Sequence, residues 1–135
     1  MSQDQNVCVA GQLLASIGGG AAPAEIAELF SADVNFEIAG DIGALPWIGQ
    51  QVGRSAVAGF IRGLRDLTEP VRFEVKSILA DDDQAVIIGE LASRVRATDR
   101  IIETAFVLIL TITEGRITRF HMLEDSFAVS RAARP

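Results

Sequence analysis

Ile101–Thr113 reads IIETAFVLILTIT, and it is apolar at both parities. Ile102, Phe106, Leu108 and Leu110 fall on one side of an extended chain, and Ile101, Ala105, Val107 and Ile109 on the other. A strand with two apolar faces must be covered twice. One cover has to come from elsewhere in this chain. The economical source of the other is a second copy, so the stretch predicts a homodimer through the outer face of a sheet.

Working outward, turn signals punctuate the flanks. "VRFEVKSIL" (71–79) alternates Val71, Phe73 and Val75 against Arg72, Glu74 and Lys76, which predicts a strand with one buried face. "DDDQ" is a turn, a further strand runs from about Ala85 to Ala97, and "TDR" turns again. After "EGR", "ITRFHMLEDSF" is the last strand, and "SFAVSRAAR" reads as a closing helical turn capped by Asp125 or Ser126. Upstream, Val57, Phe60, Ile61 and Leu64 recur at helical spacing within 55–67, and "DVNFEI" alternates Val34, Phe36 and Ile38 as a strand. The first thirty residues read as two helices, or one broken at Gly18–Gly20. Val7, Leu13, Leu14 and Ile17 form the first stripe, and Ile26, Ala27, Leu29 and Phe30 follow Pro23. Cys8 reads as a buried small hydrophobe. Helices early and strands late make an α+β domain. A curved antiparallel sheet wrapped around those helices encloses a cone-shaped hollow.

Composition sets outer bounds. The 135 residues suit one domain over 1–135, with no linker or repeat to divide it. No apolar tract is long enough to span a membrane, and residues 1–20 lack the pattern of a signal peptide. One cysteine cannot form an internal disulfide, which fits a reducing cytoplasm. The net charge of −6, with basic residues dispersed, argues against a nucleic-acid partner. The chain has no tyrosine and a single histidine. That excludes mechanisms needing a phenol donor or a His-rich metal centre, and no cofactor or metal is expected. "DDD" lacks the ligand spacing of a calcium loop, and "GGG" lacks the context of a phosphate loop.

Between the first strand and the following helix lies "GDIGALPWIGQQVGR" (40–54), with four glycines, a proline and the only tryptophan. It reads as an irregular loop. Together with "ELFSADVNFEI", "GRSAVAGFI" and "TEGRITRFHMLEDSF", it resembles the SnoaL-like branch of the nuclear transport factor 2-like superfamily. The resemblance covers the chain from about Ala24 and implies a cystatin-like α+β barrel. It also implies a pocket for a hydrophobic small molecule on the inward strand faces. Carried over by position, that lining is Val34, Phe36, Ile38, Gly89, Leu91, Phe106, Leu108, Leu110, Phe120, Met122 and Glu124, with Phe60 on the helix as a further ligand-binding residue. Trp47 is then either a wall at the wide end or a plug in the core.

The superfamily holds ketosteroid isomerases, polyketide cyclases and limonene epoxide hydrolase. Its catalytic side chains are tested one by one against this chain. The isomerase base position is Ile38, and its oxyanion acid falls near Leu108. The hydrolase's Asp–Arg–Asp positions are Leu91, Gly89 and Met122. Both sets are apolar here. The cyclases' acid lies near the end of the last strand, where "HMLED" offers His121, Glu124 and Asp125. Strand parity groups Glu124 with Phe120 and Met122, apart from His121 and Asp125, and the resemblance implies that the first set faces inward. Each candidate has a second reading. Glu124 pairs with an arginine, Asp125 caps the final helix, His121 bonds at a dimer interface, and Asp41 is a solvated turn residue. Glu90 and Glu103 read as ion-paired strand residues, with Arg119 or Arg94 as partner to Glu90. Three functions stay open: a proton-transfer enzyme on a polyketide- or steroid-like ligand, a non-catalytic binding protein, and a dimerisation module with a filled core.

Overall fold

The computed structural model describes residues 2–135. Its strands are β1 (Phe30–Ile38), β2 (Gly49–Val52), β3 (Thr68–Ala80), β4 (Gln84–Val95), β5 (Arg100–Thr113) and β6 (Arg116–Glu124). They form one curved, open, mixed sheet in the order β2-β1-β6-β5-β4-β3. Helices α1 (Gln3–Gly18), α2 (Pro23–Ala27) and α3 (Arg54–Leu67) lie early in the chain, and α4 (Ser126–Ala133) closes it. This is the α+β architecture the element order predicts.

Local chemistry sets the boundaries. Ser2 and Gln5 form a reciprocal capping box that starts α1. Pro23 opens α2, where its missing N–H costs nothing. α3 passes straight into β3, and Thr68 Oγ1 donates to the Leu64 carbonyl to finish the helix. Pro70 is tolerated because β3 is an edge strand.

Several sequence expectations are corrected. β1 and β6 run parallel, so the sheet is mixed rather than wholly antiparallel. Residues 49–52, read as loop, form β2 against Asn35–Ile38. Gln50 and Gln51 are exposed, so this short strand has no apolar alternation to betray it. Phe30 belongs to β1 rather than to the preceding helix. Cys8 is exposed, because the inward stripe of α1 is Asn6, Ala10 and Leu13, and position 8 lies across the helix from it. Asn6 is fully buried and donates from Nδ2 to the Asp81 carbonyl at 2.9 Å, tying α1 to the β3–β4 turn. Glu90 pairs with Lys76 at 3.3 Å rather than with an arginine.

Register lays the side chains out in rows across the concave face. Ala80, Ala85, Leu110, Phe120 and Phe36 make one row. Ile78, Ile87, Leu108, Met122 and Ile38 make the next. α3 covers this side with Val57, Phe60 and Ile61. The rings of Phe36 and Phe120 stack at 4.6 Å, and Phe60 meets them at 5.4 and 6.0 Å. The hollow beneath α3 is therefore occupied by aromatic side chains.

Candidate functional site

The third row is Val75, Gly89, Phe106 and Glu124. A Cβ on Gly89 would fall 2.8 Å from Phe106 Cζ and against the Glu74 carbonyl. Only glycine lets the ring lie down over β4 there. The Phe106 ring stacks in turn on Phe73 at 5.3 Å. Phe73 and Val75 face the concave side with Leu91 and Gly89, yet they are 55% and 39% exposed. β3 has no strand beyond it, so its alternation is real but its burial is not. The outcome is an apolar ledge that is open at β3 and runs across Gly89 and buried Phe106 to Glu124.

Glu124 is half-buried, and its carboxylate has no hydrogen-bond or ion-pair partner among the described residues. Burial alone pushes its pKa from 4.5 up to about 7. Its backbone is fixed from the next residue, where the Asp125 N–H donates to Thr104 Oγ1 at 2.8 Å.

The other candidates stand apart from it. Asp41 accepts from Arg134 Nε and from Ser130 Oγ, both at 2.7 Å, and these bonds hold its pKa down at about 2. It ties the 40–48 segment to α4. His121 faces the convex side, 3.8 Å from Glu37 and 3.2 Å from an Arg119 nitrogen. Asp125 caps α4 by accepting from the Ala128 N–H. Of the four acid–base candidates offered by the sequence, the fold brings only Glu124 to the concave face.

Of the expected lining, Val34, Phe36, Ile38, Leu108 and Phe120 are buried among themselves, as is Phe60 on α3. Trp47 is buried too, edge-on to Phe60 at 5.6 Å with its ring 3.3 Å from where a Gly63 Cβ would sit. Phe106 is buried as well and sits across from Glu124 on β5, Met122 shares its strand face, and Leu91 is half-buried one strand further out on β4. Phe73 and Val75 were missed as lining. Their alternation was visible in the sequence, but their place on an open edge was not. Two surface depressions lie elsewhere, one along α4 and β5 and one between α1, α2 and Arg116. In the first, Arg100 is already bonded to the Arg131 and Arg134 carbonyls, and neither includes Glu124. No cluster suited to a metal ion occurs among the described residues, and no helix among them is long and apolar enough to cross a membrane.

Comparison with known proteins agrees with this geometry. A nuclear transport factor 2-like protein from Burkholderia xenovorans superposes with a TM-score of 0.89, at 23% identity over 99% of each chain. A protein from Rhodopseudomonas palustris, provisionally called an isomerase, matches at 25% identity over 81% of each chain with a TM-score of 0.72. A Jannaschia protein, provisionally called a SnoaL-like polyketide cyclase, matches at 16% identity over 98% of this chain and 94% of its own, with a TM-score of 0.77. No functionally curated protein matches the sequence. The SnoaL-like domain profile spans residues 13–120, from within α1 to the middle of β6, and the chain belongs to that family.

Proposed function

We propose that the concave ledge binds an apolar small molecule, and that Glu124 is its proton-transfer group in an isomerase- or cyclase-type reaction on a polyketide- or steroid-like ligand. The observation that carries this reading is a desolvated carboxylate without a partner among the described residues, at one end of the concave row Val75, Gly89, Phe106 and Glu124, whose other end leaves Phe73 and Val75 exposed. A general acid or base works best with a pKa near the working pH, and burial brings Glu124 to about 7. The names given to the Rhodopseudomonas and Jannaschia relatives point the same way. The test is deuterium exchange at the α-carbon of α-tetralone, a neutral ring ketone, followed by NMR. The wild-type rate is expected to rise with pH and level off above about 7, as the base form fills. Glu124→Gln is expected to lose roughly 100-fold or more. Equal rates in the two proteins would remove Glu124 from the chemistry.

A second reading, binding without turnover, is favoured by one specific observation. The positions that carry acids in the resembled enzymes hold Ile38, Leu91, Leu108 and Met122, the position of the hydrolase arginine holds Gly89, and no second acid–base group among the described residues is paired with Glu124. On that reading α-tetralone perturbs the Met122 methyl resonance and exchanges no deuterium.

The same proposal extends to assembly, with a second copy covering the convex face. Leu79 and Leu123 are 57% and 40% exposed there, around half-buried Val86, Ile88, Val107 and Ile109. Most charged groups on this face are paired among themselves, Glu37 with Arg119 and Lys76 with Glu74 and Glu90, while Glu103, expected to be ion-paired, has no ion-pair partner among the described residues. An apolar face with its charges largely matched internally suits an identical partner better than a charged one. Sedimentation is expected to show a dimer, and Val107→Asp a monomer. A monomeric wild type at micromolar concentration would overturn this. A cytoplasmic setting belongs to the same reading, since Cys8 is free and exposed.

A further inference from the structure

We infer that the ligand taken up beside Glu124 is a base, an amine carried on an apolar ring or chain. This rests on the site proposed above and names what that site selects.

The argument starts from where the cations are. Arg94 is held by Glu69 and Asp99, Arg134 by Asp41, Arg119 lies by Glu37, and Lys76 by Glu74 and Glu90. None of them reaches Glu124. Among the described residues no lysine, arginine or histidine side chain forms a hydrogen bond or ion pair with this carboxylate. A ligand bearing a phosphate or carboxylate would bring a second negative charge to an uncompensated first one. A neutral ligand can occupy the ledge, but it supplies no countercharge to the carboxylate. An ammonium does the opposite. Its N–H groups donate charge-assisted hydrogen bonds to the carboxylate. Phe106, the cross-strand neighbour of Glu124, is buried, and the exposed Phe73 ring stacked on it offers apolar area to the amine's carbon frame. The chain's net charge of −6 draws cations toward it.

The remaining acids nearby do not compete. Asp125 caps α4 and Asp41 is bound by Arg134. Glu90 and Glu103 lie on the convex side, at the parity opposite Gly89 and Thr104. From β5 and β6 the groups beside Glu124 are Phe106, Thr104 and Met122, none of which titrates. The proton balance is closed. When Glu124 is protonated and the amine is neutral, the Glu124 O–H bond breaks, an N–H bond forms, and an ion pair results with no further reactant.

The probes are benzylamine, benzyl alcohol and phenylacetate, three molecules of similar size and different charge. The readout is the methyl resonance of Met122, one of only two methionines in the chain. At pH 8 benzylamine is expected to bind roughly tenfold or more tightly than benzyl alcohol, and phenylacetate to leave the resonance unmoved. Benzylamine affinity should fall about tenfold from pH 8 to pH 6, as Glu124 takes up its proton around 7. In Glu124→Gln the amine and the alcohol should bind alike, and retained alcohol binding shows that the ledge is intact. Wild-type protein that binds both without preferring the amine overturns the inference while leaving the apolar site standing. If no probe moves Met122, both fall.

Discussion

Phe120→Ala is expected to lower the unfolding free energy by about 3–5 kcal/mol. Phe120 is 2% exposed, at the middle of β6, between Phe36 on β1 and Leu110 on β5. Its ring lies 4.6 Å from Phe36, 6.0 Å from Phe60 and 6.2 Å from Phe30. Truncation removes the buried area of one ring and the pairwise contacts of three others. The gap cannot close, because Phe30 and Phe36 are carried on a strand paired on both sides. For a domain of this size, with a total stability of about 5–15 kcal/mol, that is a severe loss. Urea denaturation followed by circular dichroism measures it. A loss under about 1 kcal/mol would mean that the rings do not pack as one cluster.

The same cluster shows what could be read from sequence. Val34, Phe36 and Ile38 alternate in a run of six residues, and all three are fully buried. Parity groups Phe106, Leu108 and Leu110 within one strand and Phe120, Met122 and Glu124 within the next, the resemblance turns both sets inward, and the register sets them side by side on the concave face. Period-two alternation survives folding because it is a property of the backbone. Burial is not, since it depends on what lies across from a residue. Phe73 alternates as regularly as Phe36, yet it sits on the edge strand and stays open. β2 escaped notice for a related reason. Its pairing is made by backbone groups against β1, and no side-chain pattern is needed for that. The partners of charged groups were the least legible. Asp41 and Arg134 are 93 residues apart in sequence, and only the folded chain brings them together.

Glu124→Leu is expected to make the protein more stable, by about 2–3 kcal/mol at pH 8, and the gain should vanish in acid. The sign follows from proton counting. Burial raises the folded-state pKa from 4.5 to about 7. Between those values the folded chain holds more protons than the unfolded one, so stability falls as pH rises. The favourable protonated form is fully populated below about 4.5 and is lost as pH passes through about 7. Asp41, Glu69 and Asp81 act in the opposite sense, because their pKa values are lowered and their stabilisation disappears only as pH falls further. The two windows are separate, so the leucine variant isolates the first. Unfolding by urea should give a difference between variant and wild type that grows from pH 4.5 to 7 and is flat above. A difference independent of pH would mean that the Glu124 carboxylate is hydrated or paired in solution. The acid–base role and the amine preference would then both lose their basis. A carboxylate that destabilises the fold near neutral pH, where leucine would pack without penalty, is the kind of residue kept for what it does to a ligand.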